Sequence, residues 1–280
     1  MACDYIFGKG ICCGGTFGYV NQRQLINDAC GYLTNAGWTA IDNMPEKLMY
    51  HASIPLPDKN WWLISGGQSK SNKKTFKVKY ETYKNSLDTA GDRQTKMYYL
   101  DDTLTWNEHS AELPTSRSHH CMVQYGPNEV AFIGGSNSTH TRIPEIDIYN
   151  LESDTWSQGP ELPEDIELTS RMGCAKIENA NTIALGCGVV SVNQETNEVI
   201  KDGRQLYTLD LSDNQYTLQH SGWSQGFFEK LDDDTLILSG SIKSIYYFDM
   251  TNGVKWQKKM MIRHNRGTAF TLPDNTLTCT

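Results

Sequence analysis

The chain of 280 residues lacks the features that mark several large classes of protein. No apolar run approaches the roughly 18 residues that a membrane-spanning helix needs, so the sequence predicts no transmembrane segment. Prolines number only nine, and the 23 glycines indicate many tight turns instead of a low-complexity tail. Basic residues are outnumbered by acidic ones. The net charge of −8 argues against nonspecific binding to nucleic acid.

The eight cysteines form no CxxC pair and no Cys/His zinc pattern, so a structural zinc site is not expected. An even number of cysteines in a chain of this length does not by itself imply disulfides, and buried free thiols are the favoured interpretation. The first ten residues have no basic start and no long apolar stretch. The sequence therefore predicts a cytoplasmic protein, or an extracellular one if an N-terminal signal is missing from this chain.

Recognisable catalytic and cofactor motifs are also missing. The sequence contains no GxSxG, no phosphate-binding loop, no dinucleotide fingerprint and no HExxH. The glycine doublets that do occur precede strands and not helices, so they are not phosphate cradles. We therefore expect no cofactor and no enzymatic activity.

An internal repeat of about 40–70 residues is the strongest positive feature of the chain. Its clearest part is a short apolar strand that ends in glycine and follows a turn signal. The instances are 11–15 (ICCGG), 61–67 (WWLISGG), 130–135 (VAFIGG), 182–188 (TIALGCG) and 235–240 (TLILSG).

Each glycine is followed by an alternating aromatic strand that ends in aspartate or asparagine, and then by a large aromatic residue. That residue is Trp106, Trp156, Tyr216 or Trp256, and Trp38 fits the same position. Four short strands per unit, repeated along the chain, predict an all-β propeller in which each unit is one four-stranded antiparallel blade. The tryptophans are expected to pack between blades.

These residues together resemble the kelch motif. The Gly-Gly doublet, the Tyr-x-x-Asp strand, the tryptophan and a following Leu-Pro and arginine all occur, and the resemblance covers nearly the whole chain. It departs at Gly186-Cys187-Gly188, at Ser239-Gly240 and at Tyr216. The resemblance implies a kelch-type propeller.

We expect one propeller over residues 1–280 with five to six blades represented. The approximate blades are 1–43, 44–112, 113–161, 162–222 and 223–259, with a partial blade at 260–280. Five blades with an overlapping end, or a truncated chain from six or seven blades, are both compatible with the repeats, and truncation is favoured. In the closed ring, 266–272 is a candidate innermost strand beside 11–15.

The candidate binding residues lie where the first strand of each blade begins and the second strand ends. In an antiparallel blade these two points are on the same face of the propeller. Kelch propellers commonly bind partner peptides there, and the resemblance implies that arginines at this motif position hold acidic side chains. A planar guanidinium can grip a carboxylate with two hydrogen bonds. The predicted arginines are Arg117, Arg171, Arg263 and Arg266. The alternative is that each arginine caps a turn or pairs with the aspartate of a neighbouring blade.

A basic insertion, 68–96, leaves from the same face. It carries eight basic and three acidic residues, a local charge of +5. Lys73, Lys74 and Lys77 are its predicted binding residues, as contacts for an acidic partner. A solvated loop with no partner is the alternative interpretation.

Two short motifs resemble metal sites of known kelch-like proteins. Tyr50-His51 resembles the adjacent copper ligands of galactose oxidase, whose catalytic domain is a kelch-like propeller, although no motif places the remaining ligands. The run Glu161, Asp165, Thr169 half-matches the iron pattern of specifier-type kelch proteins, but its last position is not histidine. The adjacent His119 and His120 point to opposite faces of a strand and cannot chelate one metal from one side. We expect one of them, His119 in particular, on the binding surface.

The sequence therefore predicts a non-catalytic scaffold that binds a protein or peptide, acidic in character, and not nucleic acid. The alternatives are a copper oxidoreductase of the galactose-oxidase type and a secreted propeller that binds carbohydrate or matrix. The oligomeric state is not predicted.

Overall fold

A computed structural model describes most of the chain. The described residues are 1–20, 23–34, 36–69, 93–138, 141, 143–162, 173–177, 181–186, 190–192, 199–202, 205–221, 228–230, 235–239, 244–250, 253–259, 269–271 and 277–279. None of them belongs to a helix long and apolar enough to cross a membrane.

Within the described part of the chain, the strands form five four-stranded antiparallel sheets, which we call blades I to V, and a two-stranded sheet, which we call blade VI. Blade I contains β1 (Ala2–Ile6), β2 (Lys9–Cys13), β5 (Cys30–Thr34) and β6 (Gly37–Ile41). Blade II contains β7 (Ala52–Leu56), β8 (Trp61–Ser65), β9 (Lys96–Asp101) and β10 (Trp106–Glu112). Blade III contains β11 (Cys121–Gly126), β12 (Glu129–Ile133), β13 (Ile146–Asn150) and β14 (Thr155–Gln158).

Blades IV to VI continue the same order along the chain. Blade IV contains β15 (Gly173–Ile177), β16 (Thr182–Gly186), β19 (Gln205–Asp210) and β20 (Tyr216–Ser221). Blade V contains β21 (Phe228–Lys230), β22 (Thr235–Ser239), β23 (Ser244–Asp249) and β24 (Gly253–Lys259), and blade VI contains β25 (Ala269–Thr271) and β26 (Leu277–Cys279). Two extra hairpins are inserted, β3 (Thr16–Val20) with β4 (Arg23–Ile26), and β17 (Val190–Val192) with β18 (Val199–Asp202).

The first strand of each blade lies at the centre of the propeller. β1 contacts β7, and the contacts continue through β11, β15 and β21 to β25, which contacts β1 again. Six first strands therefore close one ring, and the predicted all-β propeller is confirmed. The expectation that 266–272 lies beside 11–15 is wrong. The innermost strand next to β2 is β1, because Ala2 pairs with Cys13 and Ile6 with Lys9.

Large aromatic residues on the outer strands pack onto the preceding blade. Trp106 packs against the apolar cluster between blades I and II, and its Nε1 donates a hydrogen bond to the carbonyl of Asp42 at 3.1 Å. Trp156 and Tyr216 pack in the same way between the next two pairs of blades. Trp38 departs from the expectation, because 52% of its surface is exposed, and its cross-strand partner Leu33 is 40% exposed.

The glycine doublets have a left-handed backbone and lie against the backbone of the next blade. Gly66 has φ of 58° and Gly67 φ of 93°. A Cβ on Gly66 would come within 2.5 Å of the carbonyl oxygen of Arg117. Only glycine allows so close an approach between blades.

Among the described residues, six cysteines form three disulfides, which overturns the expectation of free thiols. Cys3–Cys12 joins β1 to β2, and Cys13–Cys30 joins β2 to β5. Both pairs are directly opposite in their antiparallel ladders. Blade I is thus stapled on both sides of β2. The third bond, Cys121–Cys174, joins the first strands of blades III and IV.

Candidate functional site

The segments that link one blade to the next cross one end of the propeller, which we call the upper face. Two of these linkers have the same hydrogen-bonding pattern. The carbonyl of Leu48 accepts a bond from the amide of Gly15 at 2.8 Å, and the carbonyl of Arg117 accepts one from Gly67 at 2.9 Å. The next residue in each linker pairs with the strand end of its own blade, Met49 with Gln68 in blade II and Ser118 with Ser136 in blade III. Positions 48–51 and 117–120 are therefore structurally equivalent.

Tyr50 and His119 occupy the third of these equivalent positions and touch each other. Their rings stack with centroids 4.0 Å apart and planes 23° apart. The amide of His119 donates a hydrogen bond to the carbonyl of Tyr50 at 2.9 Å. Both residues are half-buried. The rings form an aromatic pair on the upper face at the junction of blades II and III.

The backbone at both residues is left-handed, with φ of 59° at Tyr50 and 61° at His119. Residues other than glycine, asparagine, aspartate and histidine rarely adopt this conformation, so it is most unusual at Tyr50 and persists there only where the surroundings enforce it. Here the linker contacts on either side enforce it. Strain of this kind clusters at functional sites, which makes the pair the leading candidate for a binding contact.

The next residue of each linker, His51 and His120, lies beneath the pair. His120 Nε2 is 2.8 Å from Ser65 Oγ, and that hydroxyl also lies 2.9 Å from the sulfur of Met122. Nδ1 of His120 and both ring nitrogens of His51 are buried without a hydrogen-bond partner among the described residues. Burial lowers the pKa of His51 to about 3 and, with a smaller effect of the Arg117 charge, holds the pKa of His120 well below its ordinary value.

These two histidines should make the propeller sensitive to acid. A histidine that is neutral when folded takes up its proton on unfolding once the pH falls below its ordinary pKa of 6.5. We expect the free energy of unfolding to be greatest above pH 6.5 and to fall below it by about 1.4 kcal/mol per pH unit for each histidine. Urea unfolding across this interval measures the slope. His120→Gln should lower the slope by about 1.4 kcal/mol per pH unit, and a flat profile in the unsubstituted protein would contradict the burial.

Asp4 opposes part of this loss. Burial raises the pKa of Asp4 to about 6, despite hydrogen bonds donated by Ser53 and Trp62 of blade II. A raised pKa in the folded state contributes stability below the ordinary value of 3.8, and the contribution disappears as the pH rises through 6. One carboxyl against two histidines leaves a net loss of stability on acidification.

Arg117, which the sequence placed on the binding surface, lies in the interior with none of its surface exposed. Its guanidinium donates to the carbonyl of Phe132 at 3.0 Å and of Gly134 at 3.3 Å, and it forms an ion pair with Asp147 on β13 of the same blade. Burial lowers the pKa of Arg117 and raises that of Asp147. The equivalent residue of blade II, Leu48, is also buried. The guanidinium is used by the fold of blade III and does not face a partner.

The family comparison identifies the repeat. A family model described as Kelch motif matches residues 133–163, which run from the end of β12 through β13 and β14 of blade III. This stretch contains the third glycine pair, Gly134-Gly135, with the aromatic strand and Trp156 on which the sequence resemblance depends. The chain is a kelch-repeat β-propeller. No curated protein matches it.

Several predicted site residues of this kelch propeller lie outside the described residues. They are Arg171, Arg263, Arg266, Lys73, Lys74 and Lys77. The register nevertheless relates one of them to the aromatic pair. Gly173 pairs with Gly186 as Cys121 pairs with Ile133. Arg171 stands two residues before Gly173 in the sequence, as His119 stands two residues before Cys121, so by count it corresponds to His119 and not to Arg117.

Of the predicted residues, the structure places His119 on the upper face of the kelch propeller and buries its neighbour His120, as expected for adjacent side chains of opposite direction. Tyr50 is the residue that the binding prediction missed. It entered the sequence reasoning only as a copper ligand. The signal that could have found it is its distance from the first strand, two residues before Ala52, as His119 is two residues before Cys121.

No cluster of three or more histidine, cysteine, aspartate or glutamate side chains suited to a metal ion occurs among the described residues. In the Tyr50-His51 alternative, the phenol ring stacks on His119 and both imidazole nitrogens are buried. Of the half-matched iron pattern, Glu161 is exposed, and Asp165 and Thr169 fall outside the described residues.

Proposed function

We propose that this kelch propeller is a non-catalytic scaffold that binds a protein or peptide segment on its upper face. The observation that carries the proposal is the stacked Tyr50–His119 pair, in which two consecutive blades present the equivalent residue to one another on left-handed backbone. Aromatic side chains that combine an apolar ring with a polar atom are typical central contacts of protein interfaces.

The partner that we propose is acidic. The basic insertion 68–96 leaves blade II on the upper face and carries a local charge of +5, in a chain whose net charge is −8. Arg171 stands at the repeat position of the aromatic pair. An acidic segment would be attracted to this part of the surface over the rest of the molecule.

The proposal is tested by selecting binders from a library of random peptides and then measuring their affinity for variants. We expect the selected peptides to be enriched in aspartate and glutamate, and Tyr50→Ala with His119→Ala to weaken their binding roughly tenfold or more. Asp58→Ala is the matched control, because Asp58 is exposed in the turn between β7 and β8 at the opposite end of the blade. Each variant is first checked for an unchanged unfolding midpoint.

Salt dependence separates the two parts of the proposal. If neutralising Lys73, Lys74 and Lys77 by glutamine weakens binding at low salt and has less effect at high salt, the basic insertion contributes by charge attraction. Binding that survives the Tyr50 and His119 substitutions would contradict the position of the site. Peptides without acidic enrichment would contradict the acidic partner and leave the aromatic pair in place.

A secreted propeller that binds carbohydrate or matrix is the second candidate. The three disulfides favour it, since disulfides form and persist in oxidising compartments. An array of glycans probed with the same variants would show binding that depends on Tyr50 and is insensitive to salt.

A further inference from the structure

Two features that the acidic-peptide proposal does not use point to the same cellular route. The first is the set of three disulfides, which ties together blade I and joins blade III to blade IV. Such bonds form in the secretory pathway and are rare in the reducing cytosol. They support the extracellular alternative for this chain.

The second feature is the sequence Asn137-Ser138-Thr139, the single Asn-x-Ser/Thr triplet of the chain. This triplet is the acceptor for N-linked glycans in proteins that pass through the secretory pathway, and it is used in surface loops. The triplet alone has little weight in a chain of this length. Combined with an oxidising compartment, it predicts a modification.

The structure places Asn137 where a glycan can be carried. The residue lies between β12 and β13 on the upper face and is half-exposed. Its backbone amide donates to the carbonyl of Thr141 at 3.0 Å, and its side-chain Oδ1 accepts a bond from the amide of Thr141, also at 3.0 Å. These two bonds connect Asn137 to Thr141 across the loop that contains the triplet.

We propose that Asn137 is N-glycosylated. The acceptor reaction joins Nδ2 of Asn137 to C1 of an oligosaccharide carried on a lipid diphosphate. The C1–O bond to the diphosphate breaks, the lipid diphosphate leaves with the bonding electrons, and the amide gives up one proton. No oxidant or reductant is needed.

The position of the glycan gives it a consequence for the upper face. Asn137 follows Ser136, which pairs with Ser118, and Ser118 precedes His119 of the aromatic pair. An oligosaccharide on Asn137 therefore stands on the blade III side of the pair. It restricts the approach of a partner from that side.

The proposal is tested on the full chain secreted from animal cells behind a cleavable signal, and on the protein from its native source. Intact mass is measured before and after treatment with peptide-N-glycosidase, without reductant, and the peptide containing residue 137 is sequenced by mass spectrometry. We expect a mass above the 31.6 kDa of the polypeptide, reduced by the glycosidase, with aspartate left at position 137.

Two variants make the assignment specific. Asn137→Gln removes the acceptor, and Thr139→Ala removes the recognition residue while keeping Asn137, so both should lose the glycan and retain the disulfides. Asn128→Gln is the control and should retain the glycan. An unmodified Asn137 in secreted, disulfide-bonded protein would overturn the proposal. So would protein from its native source with free thiols and no glycan.

Discussion

Replacing Cys121 and Cys174 together by alanine is expected to lower the free energy of unfolding by about 4 kcal/mol. The bond closes a loop with a sequence separation of 53 residues, the longest of the three, and the chain entropy that a disulfide removes from the unfolded state grows with loop length. Urea unfolding of the oxidised proteins, with and without the two substitutions, measures the loss.

The matched control is the Cys3→Ala, Cys12→Ala variant, whose bond spans only nine residues. The same relation predicts a loss of about 2.5 kcal/mol there. Both variants must have the native content of β-structure by circular dichroism. A larger loss for the short loop than for the long one would show that the link between blades III and IV contributes less than its loop length implies.

Arg117→Leu is expected to destabilise the propeller by about 3–5 kcal/mol, because the substitution leaves the carboxylate of Asp147 buried without its partner. Asp147 is 4% exposed and Arg117 fully buried, so water cannot replace either partner without rearrangement of blade III. The unfolding midpoint in urea gives the loss.

The double variant Arg117→Leu, Asp147→Tyr tests the reason for that loss. Leu48 stands at the position of Arg117 in blade II, and Tyr98 pairs with Ile64 there as Asp147 pairs with Phe132 in blade III. Leu48 and Tyr98 belong to one apolar cluster. An apolar replacement of both partners should recover most of the stability. Equal losses in the single and double variants would show that packing, not the unpaired charge, causes the effect.

The strands of the propeller could be predicted from the sequence because their signal is local. β12 (Glu129–Ile133), for example, has its apolar run, the glycines that follow it and the turn that precedes it within a few residues of one another. The repeat of that pattern specifies a propeller before any long-range contact is known. Trp106 and Trp156 could be placed between blades for the same reason, since the repeat puts a large aromatic residue at the same position in blades II, III and IV.

The site could be predicted only in part because its residues are positioned by neighbours far along the chain. Arg117 looks like a surface arginine in its own segment, and only the approach of Asp147 from β13 makes it a buried ion pair. Tyr50 and His119 are 69 positions apart, and their stacking depends on how blades II and III dock. The cysteine connectivity likewise depends on strand register, which spacing alone does not reveal.

The Cys121–Cys174 bond also changes how the molecule would respond to force. When a pulling force unfolds blades III and IV, the chain lengthens by about 3.5 Å for each residue that unfolds. The bond joins two cysteines with a sequence separation of 53, so roughly 180 Å of chain cannot be extended while the bond is intact. A stretched molecule would therefore stop lengthening earlier, and it would lengthen further only after a thiol reduced the disulfide. The length of the stretched protein therefore depends on the redox conditions around it as well as on the pulling force.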